Sequence, residues 1–348
     1  MKAPKVSVII PNYNHAAFLR RRMDSVLKQT YRDFEIIYLD DASTDDSGEV
    51  FSAFATDERI RAVLNTTNTG IPGKQWNKGV LEARGEYVWI AESDDYADER
   101  FLEMLVPQLE EHPTAGLVYC QSLVINEHDE VIGSYDHHTE DFDLNRWKQD
   151  YFNRGKDELT DYLLYKNTIP NASAVLFRKR IFEEAGFADE WIRYCGDWLM
   201  WVRMLMISDL VFVAEPLNYH RRHVGALSHG PRQEAAPSPL AHDRMEIPQV
   251  PSEHELTPWP AKLRYILGRN ALRANRPSEA RHYFARSLRL KVSPSTLFFW
   301  TASFLGQPVY HRLDGIKSRV PVIGRITMKM NRLLLAGRRS LSKRYRRR

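Results

Sequence analysis

An α/β fold, with buried strands flanked by helices and a smaller α-helical region behind it, follows from three features of the chain. Val6 to Ile10 and Phe34 to Leu39 are short apolar runs rich in β-branched side chains. Between them Phe18, Leu19, Met23, Val26 and Leu27 recur at three- and four-residue steps, the spacing of one helix face. Apolar runs without polar alternation suit a sheet covered on both sides, as βαβ units build. Polar clusters then end both runs, Pro11 to His15 after the first and Asp40 to Asp46 after the second. In open sheets of this class ligands sit beyond the carboxyl ends of the strands, so the two clusters are expected to share one crevice.

The alternation continues down the chain. Val50 to Ala55 suits a helix, Ile60 to Leu64 a short strand, and Asn65 to Lys74 a loop rich in Asn, Thr and Gly. Lys78 to Ala83 resumes a helix that Gly85 ends. Tyr87 to Ala91 is a third buried strand running into Glu92-Ser93-Asp94-Asp95. Phe101 to Glu111 and Gly116 to Val124 repeat the helix and strand pattern. Glu127 to Asp157, polar and aromatic without period, is expected to be an irregular excursion. Leu159 to Tyr165 then reads as helix, Ala172 to Phe177 as strand, Lys179 to Ala185 and Asp197 to Ile207 as helices, and Leu210 to Val213 as a late strand. Pro237, Pro239, Pro248, Pro251 and Pro258 disfavour helix and ladder alike, which makes 231–260 a linker between a domain over 1–230 and a helical hairpin over 261–306. The hairpin sequence LGRNALRANRPSEARHYFARSLRL resembles one tetratricopeptide-type unit, which buries little by itself.

Charge is unevenly spread. The formal total is +4, yet thirteen Lys or Arg face Asp314 alone between Arg312 and Arg348, so a tail of +12 follows a body of −8. Two cysteines, Cys120 and Cys195, supply neither a disulfide framework nor a metal pair, which suits a reducing compartment. The N-terminus enters its first strand without signal-peptide regions, and no run approaches the roughly 18 apolar residues a membrane span requires. Over 307–348, Ile323, Ile326, Met330, Leu333 and Leu334 keep helical spacing among basic residues. Such a tail can lie on an anionic membrane surface, at about 1 kcal/mol per basic residue; a solvated disordered tail is the alternative. No nucleic-acid partner is expected, because no aromatic-basic platform accompanies the charge.

The segments VSVIIPNYN and LKQTYRDFEIIYLDDASTDDS resemble the opening of the family 2 glycosyltransferases, densely over residues 6 to about 115 and more loosely to about 229. The resemblance implies the GT-A fold, a Rossmann-like, mixed but mostly parallel sheet flanked by helices. It also implies inverting transfer of a sugar from a nucleotide-sugar, a UDP-sugar in much of the family, to a hydroxyl acceptor, with Mn²⁺ or Mg²⁺ as cofactor. Synthesis of cell-surface polysaccharide or glycolipid on the cytoplasmic face of a membrane would fit. Sugar-phosphate nucleotidyltransferases share the sheet but open with a Gly- and Arg-rich phosphate loop, and PNYNHAAF has no glycine. A non-catalytic sugar-nucleotide-binding protein acting through hairpin and tail is the other alternative.

Site residues follow position by position. By resemblance Pro11, Tyr13 and Asp41 line the nucleotide pocket; Tyr13 offers a flat ring and Asp41 a partner for a uracil imide edge, although paired Asp residues also simply start turns. Lys74, in a Gly-rich loop, is either a cation for phosphate or base or a solvated surface residue. Carboxylate oxygens suit a hard divalent ion beside a diphosphate. If the strand continued through Glu92 to Asp95, Glu92 and Asp94 would share a face and Asp95 the other. That assigns Asp94 to the nucleotide and Asp95 to the metal. The family usually has Asp where this chain has Glu92. GDWLMWVRML resembles the family's EDWDLWLR-type segment, so Asp197 is the implied general base, a role compatible with capping its helix. Trp198 can wall a sugar or pack in the core. In the Tyr219 to His223 segment the resemblance implies Arg221 or Arg222 against phosphate and His223 on the metal; a basic surface loop is the alternative. Asn171 and Ser173 match a segment that faces donor sugar and acceptor.

Overall fold

The computed structural model describes residues 3–140, 143, 145–163, 167–190, 196–223, 265, 268, 277–290, 294–302 and 304. The chain divides into two compact units, Met1–Met245 and Glu246–Arg348. The first is built on one mixed sheet. Its strands are β1 (Val6–Asn12), β2 (Phe34–Asp40), β3 (Ile60–Leu64), β4 (Tyr87–Ile90), β5 (Tyr96–Ala97), β6 (Ala115–Ile125), β7 (Val131–Ser134), β8 (Tyr151–Asn153), β9 (Val175–Arg178) and β10 (Asp209–Arg221). They run in the order β3-β2-β1-β4-β9-β6-β10-β5, with β7 beside β6 and β8 beside β10. β1 to β4 are mutually parallel, β9 is antiparallel to both β4 and β6, and β10 is parallel to β6. The carboxyl ends of β1, β2, β4, β6 and β10 therefore share one edge.

Helices cover both faces. α1 (Ala16–Leu27) and α4 (Phe101–Glu111) bury Leu19, Met23, Val26, Phe101, Leu105 and Leu109 against Val8, Ile10, Ile36 and Trp89. On the other face α3 (Pro72–Glu82) lies so close to β1 that a Cβ on Gly79 would meet Ile9 Cγ2 at 2.5 Å. A side chain there would have to displace a fully buried isoleucine. α2 (Ser47–Ser52), α5 (Asp136–Thr139), α6 (Gly155–Glu158), α7 (Lys179–Glu184) and α8 (Gly196–Leu205) complete the unit. Trp201 of α8 is fully buried, its ring centroid 6.2 Å from that of Phe177. In the second unit α9 (Pro277–Leu290) and α10 (Pro294–Ala302) bury Phe284 and Phe299 beside Tyr265.

Several expectations are corrected. β1 runs through Pro11 to Asn12, because its pairing with β4 ends at Ile9 and the missing Pro11 N–H falls where only β2 is paired. α3 begins at Pro72, a favoured first helical residue, which puts Lys74 in its first turn and not in a loop. The supposed excursion 127–157 carries β7, α5 and β8, tied to the sheet by antiparallel pairing with β6 and β10. β10 is thirteen residues long, not four, with register shifts around Pro216 that let it pass a residue unable to donate to the ladder. Glu92 to Asp95 is a turn, Asp95 N–H donating to Glu92 O at 3.2 Å, so strand alternation does not govern those side chains. The linker 231–260, the first hairpin helix apart from residues 265 and 268, the tail, Trp191 and Cys195 lie outside the described residues.

Candidate active site

At the ends of β1 and β2 the backbone turns through Asn14 (φ 56°) and Ala42 (φ 60°), conformations that non-glycine residues adopt at a cost. Side chains hold these turns. Asn14 Oδ1 accepts Thr44 N–H at 2.7 Å, and Asp40 accepts from Ser43 N–H, Ser43 Oγ and Asn12 Nδ2 at 2.7 to 3.0 Å. Tyr13, 43% exposed, is left on the surface with its ring open. Asp41 is buried, and its carboxylate accepts from Asn65 Nδ2 (2.7 Å), Thr69 N–H (3.0 Å), Thr69 Oγ1 (2.8 Å) and Gln75 Nε2 (2.9 Å). It thus orders the whole 65–75 segment. Gln75 is followed on α3 by Trp76, whose Nε1 donates to Glu92 Oε1 at 2.8 Å. One helix therefore joins the Asp41 cluster to the acidic turn after β4.

That turn is held from below and from the side. Arg22, fully buried on the core face of α1, donates through Nε to Glu92 O (2.8 Å) and through Nη2 to Ser173 Oγ (3.2 Å). Burial lowers its guanidinium to about 10 against the pull of Asp95, Asp94 and Glu92. Arg221, only 1% exposed, donates from its backbone to Asp95 Oδ1 (2.8 Å) and from its guanidinium to Asp94 O (2.7 Å), Asn126 O (2.7 Å) and Asp129 Oδ1 (2.5 Å). Burial, then the charge of Asp94, pushes Glu92 up to about 8. Burial also acts to raise Asp94, but the hydrogen bond with His223 and the charges of His15, His220 and His223 outweigh it and hold that carboxyl far below the usual range.

His223 Nε2 lies 3.1 Å from Asp94 Oδ2, His15 Nδ1 lies 2.8 Å from Ser93 Oγ, and the two imidazoles meet edge to face at 5.5 Å. His15, Asp94 and His223 each offer a ligand atom within 4.8 Å of the others. Asp95 is 2% exposed, between Arg221 N–H and His220 Nδ1 at 3.4 Å. His220 pairs with Asp95 and its charge also acts on Asp197, and Tyr135 senses the charge of both acids and of Arg222. Asp197 opens α8, with Oδ2 accepting from Asn167 Nδ2 at 3.3 Å. Burial raises it to about 6 against the Trp198 N–H and Asn167 bonds. Trp198 Nε1 donates to Leu163 O at 2.8 Å, which anchors the helix start.

Asp94, Asp95, Arg221, His223 and Asp197 gather at one edge, with Asp41 joined to them through α3. Arg221 is turned inward and its donors are committed, so the exposed residue of the pair is Arg222, beside the Tyr135 hydroxyl. Asp94, not Asp95, is the carboxylate beside two imidazoles, because the turn replaces strand alternation. Asn171 and Ser173 are buried. Asn171 bonds Ser122, Ala174 N–H and Asn218, and Ser173 accepts from Arg22 and from Glu92 N–H, so both act behind the site. Arg22, Gln75, Trp76 and Asn167 escaped the sequence reading, and His15 and His220 were given no role although they lie in segments it singled out. Arg22 left a signal as well, a charge three residues after Leu19 on an otherwise apolar helix face.

Residues 7–186 match the family model for glycosyl transferase family 2. The chain belongs to that family. GlyG, a glycosyltransferase of Streptococcus pneumoniae, is 32% identical over 237 residues, 64% of this chain and 72% of that protein. The Staphylococcus aureus poly(ribitol-phosphate) beta-N-acetylglucosaminyltransferase TarS is 32% identical over 110 residues, 31% of this chain and 19% of TarS. The crystal structure of TarS 1-349 in complex with UDP-GlcNAc superposes with a TM-score of 0.55 at 17% identity, covering 86% of this chain and 79% of that one. Its complex with UDP gives 0.52 at 19%, covering 63% and 60%. As a member of the family with the GT-A type of mixed sheet, this chain is a glycosyltransferase.

Proposed function

We propose that this glycosyltransferase is metal-dependent and inverting, and takes its sugar from a UDP-sugar to a hydroxyl of a glycan or lipid-linked glycan. The observation that carries the reading is the His15–Asp94–His223 group at the strand-end turn, with the buried Asp197 at the start of α8 feeling the charge of His220, which pairs with Asp95. The donor set fits a divalent ion: two imidazoles and one carboxylate suit Mn²⁺ better than Mg²⁺, which favours oxygen and water. When bound, the ion would neutralise charge on the diphosphate as the glycosyl bond breaks.

The remaining work falls to the chain's own groups. Tyr13 provides an open ring for a base, Asp41 keeps the 65–75 segment in place around it, and Pro11 shapes the turn between them. Arg222 and Lys74 supply positive charge for phosphate near the rim. Asp197, raised to about 6, is ionised at neutral pH yet basic enough to take the acceptor's proton as its oxygen attacks the anomeric carbon opposite the departing diphosphate. Support for the UDP class comes from TarS, whose structures hold UDP and UDP-GlcNAc. Work at the cytoplasmic face of a membrane, with the basic tail on anionic lipid, belongs to the same proposal.

UDP release from a panel of UDP-sugars, with and without Mn²⁺, tests it. Chelation is expected to abolish release, Asp94→Asn and His223→Ala to raise the Mn²⁺ concentration required, and Asp197→Asn to cut turnover at least about a hundredfold. Full activity in Asp197→Asn, or release indifferent to chelation, would overturn the reading.

A further inference from the structure

We propose that Asn167 is the positioning residue for the Asp197 carboxylate, holding one oxygen so that the other faces the acceptor hydroxyl; this rests on the reading of Asp197 as the base. Asn167 Nδ2 donates to Asp197 Oδ2 at 3.3 Å, while its Oδ1 accepts the Ile169 N–H at 3.3 Å. Only one orientation of the amide satisfies both contacts. Turned over, its oxygen would face a carboxylate and its NH₂ a backbone N–H.

The main chain of Asn167 is fixed as well, because its carbonyl lies 2.8 Å from His138 Nε2. His138 packs edge to face on Tyr135 at 5.7 Å, and Tyr135 lies 5.6 Å from His220. Three stretches distant in sequence, 135–139, 167–169 and the start of α8, are thereby tied together at the base. Within this set Asn167 is the residue that bonds the Asp197 carboxylate directly.

The step explains why orientation matters. A bond forms between the acceptor oxygen and the anomeric carbon. The bond from that carbon to the diphosphate oxygen breaks, its electron pair leaving with the diphosphate, and the hydroxyl proton passes to Asp197. A carboxylate free to rotate presents a lone pair to that proton for only part of the time, so a second donor on the far oxygen increases the productive fraction. The same donor favours the ionised form and works against burial.

Two variants test this in the full chain. Asn167→Ala removes the donor, and Asn167→Asp keeps the shape and the Ile169 contact while replacing the donor with a like charge. The Asp197 carboxyl is titrated directly by carbon NMR of aspartate-labelled protein, with Asp197→Asn to assign the resonance, so no donor or acceptor is needed. The midpoint is expected to rise in both variants, by about one pH unit in Asn167→Asp. With UDP-GlcNAc and Mn²⁺, UDP release should fall about tenfold in Asn167→Ala at unchanged donor KM. Midpoints within about 0.2 pH unit of the parent in both variants would overturn the proposal. Retained turnover in Asp197→Asn would instead remove the base reading, while the titration still decides whether Asn167 holds that carboxylate.

Discussion

Single side chains at the strand ends carry opposite electrostatic duties. Asp94 is drawn far below the usual carboxylate range, whereas Glu92, two residues away, is pushed up to about 8 and Asp197 to about 6. For Asp197 the consequence has two signs. As pH falls below about 6 the base takes up a proton, so turnover should drop about tenfold per pH unit in a pH-rate profile. Stability runs the other way. The folded state holds the Asp197 proton up to a higher pH than the unfolded chain does, so this group's contribution falls as pH rises from 3.8 through about 6. Asp197→Asn should therefore be more stable than the parent at pH 8, by on the order of 3 kcal/mol, and match it near pH 4. Calorimetry at the two pH values decides; a less stable variant at pH 8 would mean that attraction, not burial, governs the residue. Asp41 and Asp197 could be singled out in the sequence because the first follows an apolar strand run and the second opens a helical one. Which of Arg221 and Arg222 is buried could not be read, since that depends on β10 running on as far as Arg221 and ending before Arg222.

Among the elements, α3 does the most to assemble the site. Gln75 bonds Asp41, Trp76 bonds Glu92, and Gly79 lets the helix settle on Ile9. Gly79→Val would drive branched carbons into a fully buried side chain, for a loss of about 2–3 kcal/mol and a fall in Tm of roughly 5–10 °C. An unchanged Tm by thermal unfolding would show that the approach relaxes without cost. The sequence pattern located only the C-terminal half of this helix, Lys78 to Ala83, and missed its start, where Gly and Pro read as loop although Pro is well suited to that end. The 127–157 stretch was misread for a related reason. Short strands such as β7 and β8 carry too few residues for periodicity, and it is their partners β6 and β10 that make them strands.

For the whole molecule, an acidic body joined to a strongly basic tail makes membrane attachment a testable property. Among the described residues no helix is long and apolar enough to cross a membrane. Flotation with vesicles of anionic lipid should carry the full chain upward and leave a form lacking 312–348 at the bottom, with the difference shrinking as salt rises. Equal recovery of the two forms would remove the lipid role. By itself the sequence determined the βαβ opening, the strand ends where the polar clusters fall and the family, because those depend on local runs of apolar residues and the polar residues that end them. Only the tertiary structure decided which acids stand beside imidazoles, which arginine is committed inward and which amide holds Asp197. Those are contacts between segments some 30 to 130 residues apart, and no local pattern encodes them.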